Sequence, residues 1–367
     1  MARGDDMKLS DFDFDLPREL IAARPMEPRE AASLLEVRQE GAPEEGLTDH
    51  HVVDLPQLLA PGDVVVVNDT KVVPARLKGR RGDAGVEITL HKPAGHTPTD
   101  SARWHAFAKG ARKLRVGDTI RFGAGFAATV EAKFDAGEVL LDFALPESEI
   151  LAALERLGTA PLPPYIPREG GPDAQDNHDY QTIFAARPGA VAAPTAGFHF
   201  TDTLLRGVLA RGIQRATVTL HVGGGTFLPV KTEEVADHKM HSEWGEIDAL
   251  TAEFINTARA EGGRIVAIGT TSLRLLETAA GEDGKLRPFS GDTDIFITPG
   301  YQFRAVDLLL TNFHLPKSTL FMLTAAFAGL ERMQAAYAHA KQMRYRFYSY
   351  GDCCLLHPAP GARIMDR

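Results

Sequence analysis

The chain reads as an α/β protein, a discontinuous mixed α/β domain that carries an inserted small β-barrel domain. Three observations predict this class. From Pro61 to Phe143, short β-rich runs recur with Gly and Asp between them, the pattern of a small barrel. Beyond Pro167, apolar runs alternate with stretches of helical spacing, as an α/β layer requires. The segment 1–56 is too short to close a core alone, so it is expected to complete the α/β domain from the far side of the barrel. The expected organisation is 1–56 as the first part of the α/β domain, 57–160 as the inserted barrel, and 161–367 as the second part.

Taken in order, Val64–Val67, Val86–His91, Trp104–Ala108, Thr119–Phe122, Ala128–Lys133 and Val139–Phe143 are the expected barrel strands. Glu147–Leu157 carries Ile150, Leu151, Leu154 and Leu157 at helical spacing. The four prolines of Pro161–Pro167 favour an extended linker. The acidic, Gly/Pro-containing stretch Glu169–Asp179 predicts a mobile loop. Leu204, Leu205, Val208 and Leu209 predict a helix that Thr201 caps. Thr217–Val222 and Ile265–Ile268 read as buried strands, and Ala252–Ala260 and Leu273–Ala280 as helices. No internal repeat is visible.

With 367 residues, 44% hydrophobic and 24% charged, the chain has the composition of an ordinary soluble globular protein. Its first residues, Met1 to Lys8, hold no apolar core of a secretory signal, and the longest apolar stretch, Leu320–Leu330, is too short to span a bilayer. The only cysteines, Cys353 and Cys354, are adjacent and poorly placed to staple distant segments, which fits a reducing cytoplasm. A net charge of −9 argues against a general nucleic-acid binder, so any RNA contact must be local. The strongest basic run is Lys71, Arg76, Lys78, Arg80 and Arg81; a second is Lys341, Arg344 and Arg346, interleaved with Tyr345, Phe347 and Tyr348. Either also reads as a solvated face.

The chemistry-bearing segments lie mainly in the expected α/β part. In Pro188–Thr201, Gly and Ala dominate where a solvated loop would carry charge, so the main chain can approach a ligand, and His199 precedes a helix start that favours anions. The same stretch also reads as a small-residue crossover packed under Phe198 and Phe200. Strand Arg264–Ile268 runs into Gly269-Thr270-Thr271-Ser272 and a helix with Arg274 one turn in, the form of an anion site or of a well-capped helix. Without the lysine and second glycine of a P-loop, the segment is a poor match to a nucleoside triphosphatase. His221 stands at a strand end before the triplet Gly223, Gly224 and Gly225, with Phe227 able to face a cation. Leu228 occupies the place of a third fingerprint glycine, so this is no Rossmann motif. Asp237, His238, His241 and Glu243 crowd like metal ligands but match no zinc motif, and surface hydrogen bonding accounts for them as well. Asn312 and His314 form a further polar pair that either lines a pocket or satisfies a buried turn.

Together these runs, with Asn68–Arg76 and Tyr348–Asp352, resemble the S-adenosylmethionine:tRNA ribosyltransferase-isomerase family of queuosine biosynthesis from about Met7 to Leu356. The resemblance implies transfer and isomerisation of a ribosyl group from S-adenosylmethionine, a substrate and not a prosthetic group, onto 7-aminomethyl-7-deazaguanine in a tRNA anticodon. It also implies a cytoplasmic enzyme with no metal and no membrane partner, expected as a monomer. On this reading His199 is the first candidate for proton transfer and His221 the second. Thr195, Gly197, Phe198, Gly223, Gly224, Gly225, Phe227, Thr270, Thr271, Ser272, Arg274, Asn312 and His314 are candidate substrate contacts. Lys71, Arg76, Lys78, Arg80 and Arg81 are candidate tRNA contacts. A non-catalytic RNA-binding protein and a metal hydrolase built on His238 and His241 are the competing classes.

Overall fold

The computed structural model describes residues 7–95, 102–163, 165–166, 168, 171–227, 230 and 232–363; the side chains of Ala136, Thr226 and Phe227 are not described. In chain order the elements are β1 (Ser33–Val37), β2 (Leu47–His51), α1 (Leu55–Leu58), β3 (Val64–Asn68), β4 (Thr70–Val72), β5 (Arg76–Arg81), β6 (Ala84–Pro93), β7 (Arg103–Lys109), β8 (Thr119–Gly123), β9 (Phe126–Lys133) and β10 (Glu138–Asp142). There follow α2 (Glu147–Leu157), α3 (Ala174–Asp179), β11 (Arg187–Ala190), α4 (Asp202–Ala210), β12 (Gln214–Leu220), β13 (Glu243–Ile247), α5 (Ala249–Ala260), β14 (Ile265–Ile268) and α6 (Thr270–Ala279). The chain closes with β15 (Phe289–Thr293), β16 (Leu308–Asn312), α7 (Thr319–Ala328), α8 (Leu330–Gln342) and β17 (Cys353–Leu356).

Nine strands form one mixed sheet in the order β15-β13-β12-β3-β14-β16-β17-β1-β2, and six close a separate antiparallel barrel in the order β10-β7-β6-β5-β8-β9. The mixed α/β class with a small barrel is therefore observed. β1 and β2 enter the sheet from the N-terminal side, beside β17, so the large domain is built from both ends of the chain. The barrel is filled by side chains such as Leu77, Ile88, Leu90, Trp104, Val130 and Leu141.

Two expectations need correction. Val64–Val67 is not a barrel strand: β3 lies at the centre of the large sheet, paired in parallel with β12 and β14. Val64 and Val66 enter the core on one face and Val65 and Val67 the core on the other, and a strand covered on both faces has no polar alternation to reveal its place. The barrel strand missed in its stead is β5, whose apolar signal is confined to Leu77 among basic residues. The expected mobile loop is also largely structured. Glu169 and Gly170 lie outside the described residues, but Ala174–Asp179 is the helix α3, capped by Asp173. Buried Asp176 pairs with Arg168 at 2.9 Å and with Arg24 at 2.8 Å, which ties this segment to the N-terminal part of the chain. In the linker, Pro164 and Pro167 lie outside the described residues.

Candidate functional site

Two cavities flank the segment that joins β11 to α4. The smaller, about 70 Å³, is built at the start of α6. Gly269 turns the chain there with φ +91°, a conformation open to glycine, and donates its N–H to Leu310 O at 2.8 Å. The first N–H groups of α6 have no intrahelical partner. Thr271 Oγ1, Ser272 Oγ and Arg274 Nη2 are buried with no hydrogen-bond partner among the described residues. Arg274, 4% exposed, donates from Nη1 to Glu243 Oε2 at 2.6 Å. The other oxygen of Glu243 accepts from the Gly223 N–H at 3.1 Å. Buried donors left unsatisfied are costly, and Thr271 and Arg274 belong to the walls of a cavity whose lining also includes Thr195, Thr270, Asn312 and His314. The arrangement suits a small carboxylate.

Behind this wall, Thr195 Oγ1 donates to Asn312 Oδ1 at 3.1 Å. Asn312 Nδ2 donates to Tyr348 O at 3.1 Å and lies 3.4 Å from His199 Nε2. Because an amide NH₂ donates, Nε2 of His199 is the acceptor and its proton resides on Nδ1. His314 Nε2 lies 2.9 Å from Thr311 Oγ1. Burial pushes both imidazoles down to about 3, with the nearby Arg346 and Arg29 adding to the effect at His199. Both are neutral and weakly basic near pH 7.

The larger cavity, about 410 Å³, lies between barrel and sheet. Barrel residues His91, Lys92 and His105 face Arg187, Gly189, His221, Gly223 and Trp244 of the large domain across it. His221 Nδ1 is 2.7 Å from Thr70 Oγ1, and its ring stacks on Trp244 with centroids 5.4 Å apart. That hydrogen bond orients the imidazole in the cavity wall. Gly189 is required beside it: a Cβ there would lie 2.8 Å from His221 Cε1.

The other expected residues are placed as follows. A Cβ on Gly224 would lie 3.2 Å from His91 Cβ, and one on Gly225 only 2.6 Å from His241 Cγ, so these glycines admit a barrel strand and a histidine ring. A Cβ on Gly197 would likewise lie 2.9 Å from Thr182 Cγ2. Phe198 is buried, stacked on Tyr350 at 5.6 Å and covered by Arg29 at 5.4 Å, and lines neither cavity. The Phe227 side chain lies outside the described residues. Among the described residues, Asp237, His238, His241 and Glu243 form no cluster of metal donors: His238 meets Phe296 edge-on, and Glu243 is engaged by Arg274.

The basic run is divided. Lys71 lies on β4 and pairs with Glu155 at 3.0 Å, Arg76 donates to Leu162 O at 3.1 Å, and Arg81 pairs with Asp118 at 2.9 Å. Lys78 and Arg80 are exposed on the outer face of β5, with Arg121 the cross-strand neighbour of Arg80. In the second run, Arg346 pairs with Asp352 at 3.2 Å and Lys341 donates to Asp15 O at 2.9 Å. Sequence reasoning missed Thr70, Trp244 and the Glu243–Arg274 pair, although Thr70 and Glu243 stand inside motifs that had drawn notice. It missed His91, His105 and Glu138 altogether, since no spacing signal joins three strands.

Unpartnered donors at a helix start, and an oriented histidine in a second cavity where a barrel meets a mixed sheet, give this α/β protein the make-up of an enzyme with a small polar substrate. Comparison with known proteins narrows this class. The model of the "Queuosine biosynthesis protein" family matches residues 9–356. The S-adenosylmethionine:tRNA ribosyltransferase-isomerase of Methylocella silvestris is 58% identical over 360 residues, covering 96% of this chain and 98% of that protein. The protein of the same name from Rhodospirillum rubrum is 58% identical over 357 residues, covering 97% of this chain and all (100%) of its own. The crystal structure of an S-adenosylmethionine tRNA ribosyltransferase from Thermotoga maritima superposes with a TM-score of 0.53 at 31% identity, covering 94% of this chain and 99% of that one. The chain belongs to the queuosine biosynthesis family of S-adenosylmethionine:tRNA ribosyltransferase-isomerases.

Proposed function

We propose that this chain transfers and isomerises the ribosyl moiety of S-adenosylmethionine onto the aminomethyl group of 7-aminomethyl-7-deazaguanine in tRNA, giving epoxyqueuosine-tRNA, adenine and methionine. The observation that carries the assignment to this site is the set of unpartnered donors on Thr271 and Arg274, one wall away from His221. S-adenosylmethionine is a substrate here. Its methionine carboxylate occupies the small cavity, where Arg274 Nη2 and the start of α6 neutralise it. Its ribose then reaches towards the larger cavity, which is open to the tRNA base.

The sulfonium acidifies the C5′ protons, so a neutral imidazole suffices to remove one. His221 takes this role ahead of His199. It lines the larger cavity and is oriented by Thr70, whereas His199 is buried behind Asn312 with a basicity too low for the task. His199 instead accepts from Asn312 and holds that amide against the small cavity. The incoming amine attacks uncharged, and the enclosed site lowers its pKa. Lys78 and Arg80 on β5 and Arg121 on the neighbouring β8, all exposed, hold the tRNA backbone. One chain supplies both walls of each cavity, so neither needs a second copy to complete it, and on this reading the enzyme acts as a monomer in the cytoplasm.

The reaction is tested by incubating the purified protein with S-adenosylmethionine and an anticodon stem-loop bearing the aminomethyl base. Adenine and methionine are expected in equal amounts, and only with that RNA. Adenosylhomocysteine as the product would mean methyl transfer and overturn the assignment. RNA binding with no product would favour a non-catalytic binder.

A further inference from the structure

The outer face of the barrel carries a group of side chains that the proposed reaction does not use. β10, β7 and β6 are neighbours in the barrel, and on them Leu90, Trp104, Ala106 and Val139 point into its core. Strand alternation therefore sends His105 and Glu138 outward, towards the large domain. In β6 the register with β7 shifts between Leu90 and Lys92, a bulge that leaves His91 as the extra residue and re-aims its side chain. The result is convergence on a single atom. His91 Nε2 lies 3.1 Å and His105 Nδ1 2.7 Å from the same oxygen, Glu138 Oε1.

We propose that His91, His105 and Glu138 form a binding site for one divalent transition-metal ion of the zinc type, its open coordination position facing the cavity between barrel and sheet. Two imidazoles and a carboxylate are the donor set of zinc sites that keep a fourth position for water or substrate. The three donor atoms lie within 4.8 Å of one another, and among the described residues no other three His, Cys, Asp or Glu side chains meet this closely. Zinc bonds of about 2.0–2.2 Å put tetrahedral ligands about 3.3–3.6 Å apart, so the carboxylate oxygen must withdraw from both imidazoles, and donor atoms now within 4.8 Å of one another must take up that spacing, for an ion to enter. The imidazoles are held for it. His91 stacks on Phe107 with centroids 4.7 Å apart, and His105 on Phe134 at 5.5 Å. All three ligands stand on strands of one closed barrel, which fixes their spacing better than loops would. His91 and His105 both line the larger cavity, so an ion here would present its free position to that space.

The experiment uses the full chain, dialysed against a chelator and then titrated with ZnCl₂ by calorimetry and with CoCl₂ by visible absorption. One equivalent of Zn²⁺ is expected to bind, with Co²⁺ giving the intense bands of a low-coordinate site. His105→Ala and Glu138→Gln should each weaken binding by at least about tenfold, since losing even a hydrogen-bond partner of a metal ligand costs about 10- to 100-fold. His238→Ala should leave it unchanged. Because His91 packs on Gly224, its replacement is read only if the variant melts like wild type; His105→Ala carries the test otherwise. Absence of one tight equivalent in the folded wild-type protein, or full affinity in His105→Ala, would overturn the proposal and leave a hydrogen-bonded cluster.

Discussion

The two cavities are made of similar residue types put to opposite uses. Around the start of α6 the polar groups are deeply buried, two histidines are held neutral, and donors on Thr271, Ser272 and Arg274 are left without partners. Between barrel and sheet, the polar groups come from two structural units and already have partners: His221 with Thr70, Arg187 with Glu246, and His91 and His105 with Glu138. Unsatisfied buried donors make a fixed receptor for charge, and partnered groups around an open space make a place where protons can move. His199 and His221 differ in this way: the first is buried behind Asn312, and the second lines the open cavity with Thr70 as its partner.

The strongest way to break this comparison is to remove the histidine proposed to react, His221. His221→Gln should lower turnover by about 10²- to 10⁴-fold, the usual cost of a lost general base, with a melting temperature near wild type. Wild-type turnover would move the chemistry elsewhere. The next effect belongs to Arg274. Arg274→Lys keeps a cation beside Glu243 but loses the planar fork, and should raise KM for S-adenosylmethionine about 10- to 100-fold, as the loss of a charge-assisted hydrogen bond does. Arg274→Ala would strand the buried Glu243 carboxylate and destabilise the fold by about 3–5 kcal/mol, so thermal melts must accompany its kinetics. An unchanged KM in a stable Arg274→Lys protein would remove the carboxylate from this cavity.

A smaller effect is expected on the barrel. Replacing Lys78 and Arg80 together by Ala should weaken tRNA binding and flatten its dependence on salt by about one to two charges, leaving S-adenosylmethionine binding intact. A salt slope equal to wild type would exclude this face. The smallest effect concerns pH. His199 stays neutral in the fold down to about 3, whereas the unfolded chain binds that proton below about 6.5. Stability contributed by the neutral ring is thus complete above 6.5 and is lost as pH falls towards 3. His199→Gln should unfold with about one proton fewer taken up near pH 5. Equal pH dependence of melting in both proteins would mean that the ring is not held neutral.

What the sequence revealed follows from the physics of each element. Barrel strands β6 to β10 alternate apolar and polar residues between Gly-containing turns, and their pattern shows. α5 and α6 show through helical spacing. β3 does not, because both its faces are buried, and β5 hides Leu77 among arginines and lysines. The site was legible where one short segment holds it, as at Gly269 to Arg274. Its reacting end was not: the loop around His199 and the strand end at His221 look alike in sequence, and only depth of burial and the bond to Thr70 distinguish them. Nor do the glycines at 224 and 225 reveal that a barrel strand and the His241 ring stand where a Cβ would lie.

The most direct test of the division between the cavities is exchange of the C5′ hydrogens of S-adenosylmethionine with deuterated solvent in the presence of the modified stem-loop. The account predicts that exchange is abolished in His221→Gln and persists in a folded His199→Gln protein. Exchange retained in His221→Gln and lost in His199→Gln would contradict it, assigning proton transfer to the buried histidine.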